Sequence, residues 1–178
     1  KINEEKVNPN IDLSSWRVAF SGSEPIDPNV ILEFIKIFSK YGFRKQTFYP
    51  CYGLAEATLF VSGGQSNEDV VMNYFKFENN RAHITSNDDG RLYVGSGTLT
   101  MSQEIRILLD NDEFSNEDGQ IGEICVNGDS IFKGYHDKSN STKMAFKKIG
   151  KNKNYLKTGD FGFIKDDQIY VTGRKKEM

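Results

Sequence analysis

The apolar positions of this chain follow two rhythms, and the change between them falls near residue 65. In the first part Val18 to Phe20 form a short apolar run closed by Ser21-Gly22-Ser23-Glu24-Pro25, the pattern of a buried strand ended by a turn. Val30, Ile31, Phe34, Ile35, Phe38 and Tyr41 then recur at helical spacing and give one wide apolar face. Asp27 is placed to cap that helix, and Pro28 suits its first turn, where a missing N–H has no partner to lose. Gly42 can take the left-handed conformation that ends it. Thr47 to Tyr49 read as a second strand, so strand, helix and strand make a βαβ unit with parallel strands. Leu54 to Val61 are expected to form a short helix, closed by Ser62-Gly63-Gly64.

Beyond Gln65 the texture turns polar. Asn67 to Gly90 hold Asn79-Asn80 and Asn87-Asp88-Asp89-Gly90, with Val70 to Phe77 and Arg81 to Thr85 as the arms of a hairpin. Short strand patterns follow at Leu92 to Val94, Glu104 to Leu109, Gly122 to Val126, Asn154 to Lys157 and Gln168 to Val171. Such spacing predicts a small antiparallel sheet or barrel. One helix interrupts it, over Ser141 to Lys147 with Asn140 as cap. The fold class expected is α/β followed by mainly antiparallel β, with no internal repeat.

Composition narrows the function. A chain of 178 residues, 37% hydrophobic, can bury one compact core or one domain and a small second one. Its formal net charge is −2, and Lys and Arg are scattered among acids, so no nucleic-acid partner is expected. No apolar stretch reaches transmembrane length, and the start has no signal-peptide pattern. Cys51 and Cys125 lie in apolar runs outside any metal-binding spacing, which suits buried free thiols and a cytoplasmic setting. The chain opens at Lys1 in a polar stretch and stops at Met178 after Arg174-Lys175-Lys176; both ends read as cuts through a longer protein.

Four clusters carry chemistry. Gly22-Ser23-Glu24-Pro25 sit at the carboxyl end of the first strand, where open α/β sheets bind ligands, and a glycine there lets a flat ring approach the backbone. Tyr52-Gly53-Leu54-Ala55-Glu56 end the second strand; Tyr52 offers an aromatic face, and Glu56, near a helix start, can hold Mg²⁺ on a phosphate. Lys157-Thr158-Gly159-Asp160 present a carboxylate able to accept two hydrogen bonds from ribose hydroxyls. Thr172-Gly173-Arg174-Lys175-Lys176-Glu177 follow a strand, and Arg174 can reach a ribose or phosphate oxygen through its planar fork. Each cluster alone also reads as an ordinary turn, core tyrosine or solvated charge.

In order, the four resemble the core motifs of the adenylate-forming superfamily of acyl-CoA synthetases, peptide-synthetase adenylation domains and luciferases. A fifth stretch, Gly122-Glu123-Ile124-Cys125-Val126, then Gly128 and Lys133-Gly134-Tyr135, is similar to that superfamily's structural glycine motif. Tyr-Gly-Leu-Ala-Glu-Ala-Thr from Tyr52, with Ala55 where many relatives carry Thr, resembles the fatty acyl-AMP ligases, which also carry an insertion where Asn67 to Gly90 lie. The resemblance implies that Gly22, Ser23, Glu24 and Pro25 line an adenine pocket and that Tyr52, followed by Gly53, stacks on adenine. It implies that Glu56 coordinates Mg²⁺, that Asp160 binds the ribose and that Arg174 supports ribose or phosphate. Residues 1–66 would end an adenine-binding α/β subdomain, 67–90 be the insertion, 91–172 a β-barrel-like subdomain, and 173–178 open the hinge to a further domain, with Glu177 at a hinge position usually held by Asp. The phosphate loop and the C-terminal lysine of that superfamily are not in this sequence, so the piece is expected to be inactive alone.

The function so implied is ATP-dependent conversion of a fatty acid to acyl-AMP with release of pyrophosphate, the acyl group passing to the phosphopantetheine arm of an acyl carrier protein. Two alternatives stay open: a long-chain acyl-CoA synthetase, and a noncatalytic nucleotide-binding or carrier-docking module.

Overall fold

A computed structural model describes residues 7–99, 103–150 and 153–176; Glu177, the expected hinge residue, lies outside them. Strand β1 (Ala19–Ser21), helix α1 (Pro28–Phe38) and strand β2 (Phe48–Tyr52) form the expected unit, with β1 and β2 parallel. The cap works as the sequence implies: the Asp27 carboxylate accepts from the Asn29 N–H at 2.9 Å, and Pro28 opens the helix. Ile31 and Ile37 of α1 are buried, and Phe34 meets the rings of Trp16, Phe43 and Phe48 at 6.4, 5.0 and 5.5 Å. The apolar stripe is wider than the layer that covers it, since Val30 remains 60% exposed.

Leu54 to Val61 do not make the expected helix. Ala55–Ala57 form a single 3-10 turn, and Thr58 and Leu59 take left-handed backbone conformations (φ 53° and 77°). The chain folds back so that Leu59 donates to the Leu54 carbonyl at 3.0 Å and Val61 to that of Tyr52 at 2.9 Å. A side chain at Gly53 would overlap the Leu59 carbonyl oxygen, so glycine is what permits this reversal. The returning chain enters strand β3 (Ser62–Gly63), antiparallel to β2.

The polar segment contains strands β4 (Met72–Glu78) and β5 (Arg81–Thr85), and β6 (Arg91–Val94) pairs with the other edge of β4. The three-stranded sheet therefore runs on through Val94. After β7 (Thr98–Leu99), which extends the first sheet beside β3, the chain builds a six-stranded antiparallel sheet. Its members are β8 (Gln103–Leu108), β9 (Phe114–Ser115), β10 (Gly122–Gly128), β11 (Phe146–Ile149), β12 (Lys153–Lys165) and β13 (Gln168–Arg174). Helix α2 (Ser139–Ala145) starts two residues before the expected Ser141 and contains Asn140, so that asparagine does not cap it. Phe146 and Lys147, expected as helix, belong to β11 because they pair with Leu156 and Tyr155 of β12.

Tyr52, Val61, Ile105, Ile107, Ile124, Val126 and Ile169 form the core that joins the first sheet to the six-stranded one. A second cluster fixes the three-stranded sheet: Phe75 lies 4.9 and 4.8 Å from the rings of Phe163 and Tyr170. Both cysteines are free, Cys125 buried and Cys51 half-buried. Burial pushes the Cys125 thiol up to about 12. Among the described residues no helix is long and apolar enough to cross a membrane.

Candidate functional site

A cleft of about 460 Å³ opens between the ends of β1 and β2 on one side and β12 and β13 on the other, a size suited to a small-molecule ligand. Ser23, Glu24 and Pro25 line it from the first motif, Tyr52 and Gly53 from the second, and Asp160, Gly173 and Arg174 from the last two. Segments more than 100 residues apart thus meet because the core places the carboxyl end of β2 against the middle of β12. Gly22 serves the packing behind the cleft. A side chain there would strike the carbonyl of Cys51, so its absence lets the first turn lie against β2.

Asp160 sits where β12 changes partners. Its first residues, Lys153 to Leu156, pair with β11, whereas Asp160 to Lys165 pair with β13. Gly159 crosses the gap with φ 75°, a conformation that favours glycine. Asp160 is 7% exposed and doubly engaged. Tyr52 donates its hydroxyl to Oδ2 at 2.8 Å, and Arg174 donates Nε to Oδ1 at 3.2 Å. Each carboxylate oxygen has a second lone pair, so both can still accept from a vicinal diol. Burial first, and the Asp160 charge second, push the Tyr52 phenol well above its ordinary range and keep it a donor. The Arg174 side chain is 66% exposed and lines the cleft, leaving its terminal nitrogens for a ligand.

Glu56 stands apart. It does not line this cleft; its carboxylate accepts a hydrogen bond from the Tyr135 hydroxyl at 2.8 Å. That bond, more than burial, pushes the Tyr135 phenol up. The backbone holds the same place, since Phe132 donates to the Glu56 carbonyl at 2.7 Å. Tyr135 is fixed in turn by the Thr142 hydroxyl, which accepts from its N–H at 2.9 Å. No cluster of three or more acidic, Cys or His side chains suited to a metal occurs among the described residues. A lone carboxylate still fits Mg²⁺, which usually takes one or two protein carboxylates and completes its shell with water and substrate phosphates. Oε2 of Glu56 receives no hydrogen bond among the described residues.

Sequence reasoning missed the apolar and small walls of the cleft: Ile26, Cys51, Val94, Ser96 and Val171. A signal existed for one of them. Gly95-Ser96-Gly97 is a run of small residues after a strand, and Gly97 (φ 78°) lies so close to Gly63 that a side chain would collide with it.

Residues 2–136 match the family described as AMP-binding enzyme. The chain belongs to that family. A medium-chain fatty-acid–[acyl-carrier-protein] ligase of Teredinibacter turnerae is 36% identical over 182 residues, covering 94% of this chain and 28% of that protein. The crystal structure of a fatty acid AMP ligase from Legionella pneumophila superposes with a TM-score of 0.88 at 39% identity, covering 98% of this chain and 31% of that one. A fatty acyl-adenylate ligase from L. pneumophila, solved with acyl adenylate and pyrophosphate, gives 0.88 at 36% identity over 97% of this chain and 32% of that one. This AMP-binding chain thus spans about 30% of the length of the relatives it matches. Its mixed α/β and antiparallel β architecture is that of the corresponding part of these adenylate-forming enzymes.

Proposed function

We propose that the full-length protein converts a fatty acid and ATP to acyl-AMP and pyrophosphate, and that the acyl group then passes to the phosphopantetheine arm of an acyl carrier protein. The observation that carries this reading is the meeting of Ser23-Glu24-Pro25, Tyr52-Gly53 and the Asp160–Arg174 pair in one cleft. In the proposed division, residues 1–66 and 91–172 supply the two walls of the nucleotide site, 67–90 carry the insertion, and 173–178 lead to a further domain.

A carboxylate oxygen of the fatty acid attacks the α-phosphorus. The bond from that phosphorus to the bridging oxygen breaks, and pyrophosphate leaves with the electron pair. This chain's residues bind and orient for that displacement. Asp160 accepts from the ribose hydroxyls, Arg174 reaches a ribose or phosphate oxygen, and the Gly22–Pro25 turn with Tyr52 and Gly53 takes the adenine. Tyr52 contributes its ring while its hydroxyl stays committed to Asp160. Glu56, oriented by Tyr135, would hold Mg²⁺, which when bound offsets charge on the phosphate oxygens.

The acceptor is proposed to be a carrier protein rather than CoA. Support for this comes from the Tyr-Gly-Leu-Ala-Glu-Ala-Thr run from Tyr52, the insertion over residues 67–90, and the likeness to the carrier-protein ligase of Teredinibacter turnerae. The insertion's strands β4 and β5, with β6, are held on the β12–β13 hairpin by Phe75 against Phe163 and Tyr170, and by Asn73 donating to the Tyr170 hydroxyl at 3.0 Å. The test supplies full-length protein with ATP, Mg²⁺ and a fatty acid, and then with CoA or a phosphopantetheinylated carrier protein. Acyl-AMP should form, the carrier should become acylated, and acyl-CoA should be scarce. Abundant acyl-CoA would favour a synthetase, and absence of acyl-AMP would leave a nucleotide-binding or docking module.

A further inference from the structure

Glu123 is a second buried carboxylate close to the site, 5% exposed on β10, and no step above uses it. A charge taken out of water is costly unless it is paired and hydrogen-bonded, and both of its oxygens are engaged. Oε1 accepts from the Gly159 N–H at 3.1 Å, and Oε2 accepts from Lys175 Nζ at 3.0 Å. The Lys175 N–H donates to the Gly159 carbonyl at 2.8 Å. Glu123, Gly159 and Lys175 therefore close a ring of three hydrogen bonds. Gly159 immediately precedes Asp160, and Lys175 immediately follows Arg174, so the two neighbours that form the 3.2 Å ion pair over the cleft are each one peptide away from the ring. The adjoining bonds share its direction: Thr158 donates its hydroxyl to the Ile124 carbonyl at 2.8 Å and accepts from the Asp160 N–H at 3.1 Å.

We infer that Glu123 is a positioning residue for the nucleotide: it clasps the Gly159 turn to the end of β13 and so fixes Asp160 and Arg174 in register to receive the ribose. This rests on the assignment of Asp160 as the ribose acceptor. Gly159 needs the clasp because its φ of 75° is open to glycine yet not enforced by packing; among the described residues nothing beyond its chain neighbours lies within 4 Å of where a side chain would sit. Without Glu123 the turn is free to relax, and Asp160 loses its aim before it loses its charge.

The experiment measures binding of ATP and 2′-deoxyATP to the full-length protein by calorimetry, with thermal unfolding as the check on folding. Glu123→Gln keeps the shape and one acceptor but removes the ion pair. It should lower the preference for ATP over 2′-deoxyATP about tenfold, while Glu123→Gln added to Asp160→Asn changes that preference no further. A stability defect alone would weaken both nucleotides equally and leave the preference intact, which would overturn the inference. Lys175→Met, whose side chain is 57% exposed, opens the ring from the other end if Glu123→Gln does not fold. It should move the preference the same way, by about threefold, and no movement would overturn the inference again. If Asp160→Asn keeps the full preference, the ribose assignment falls and the role of Glu123 with it. If Asp160→Asn abolishes the preference and the Glu123 and Lys175 variants do not, only the clasp is refuted.

Discussion

The two acids that carry the proposed chemistry are held in opposite ways. Asp160 is buried in a long strand, with a phenol, a guanidinium and a clasped turn around it. Glu56 lies on one 3-10 turn in a loop that folds back on itself, half-buried, with a single side-chain bond from Tyr135. The difference suits the roles proposed for them. Ribose hydroxyls need fixed acceptors, because a misaimed hydrogen bond in a buried place costs as much as a missing one. A carboxylate that shares Mg²⁺ with water and phosphates works best when one oxygen is anchored and the other can adjust.

The largest break in that comparison should come from Asp160→Ala. It removes the proposed ribose acceptor and strands the Tyr52 hydroxyl, so ATP affinity of the full-length protein should fall by roughly 2–3 kcal/mol, about thirty- to a hundred-and-fiftyfold. Calorimetry checks it, and an unchanged affinity would place the ribose elsewhere.

Tyr52→Phe asks how much of the Asp160 arrangement depends on one donor. The ring stays and the 2.8 Å bond goes, so ATP should bind about fivefold more weakly, near 1 kcal/mol. The unfolding temperature should shift by a few degrees at most.

At the other corner, Tyr135→Phe should raise the Mg²⁺ concentration needed for half-maximal ATP binding by about three- to tenfold. Affinity for nucleotide without metal should not change. A Mg²⁺ titration of ATP binding decides this, and an unmoved midpoint would separate Tyr135 from the metal.

The smallest effect is expected away from both acids. Lys153 and Arg106 hold the carboxyl of Glu104, on β8, down at about 2 against an ordinary 4.5. The folded-state value is the lower one, so its contribution is fully present above about pH 4.5 and lost as pH falls toward 2. The Glu104 side chain is 32% exposed, and solvent screening reduces the gain to on the order of 1 kcal/mol. Glu104→Gln should lose that amount at pH 7, converge with the parent protein only once the pH falls below about 2, and bind ATP unchanged. Urea unfolding at the two pH values tests it.

Several elements are legible in the residues alone. Asp27-Pro28 and the spacing of Ile31, Phe34 and Phe38 specify α1 locally, since capping and amphipathicity act within a few residues. Strands β8, β10 and β13 stand out as short apolar runs between turn signals. The Leu54 to Val61 run misleads because its apolar residues fit a helical period, whereas Gly53 and the contacts of Val61 with the core favour a reversal. Ser141 to Lys147 mislead at the far end, because Phe146 and Lys147 gain ladder bonds with β12 that helix propensity cannot foresee.

The sequence by itself determined the chemistry on offer: a glycine turn, a tyrosine, an aspartate and an arginine in an order that resembles the adenylate-forming enzymes. Each is legible because residue type and local turn geometry depend on near neighbours. Only the tertiary structure decided which of them share a cleft. It seated Asp160 between Tyr52 and Arg174, turned Glu56 toward Tyr135, and put Glu123 beneath the Gly159 turn. Those contacts join residues from 14 to 108 positions apart. They exist because the core of Ile105, Ile124 and Ile169 brings β2, β10, β12 and β13 together, and no local pattern carries that information.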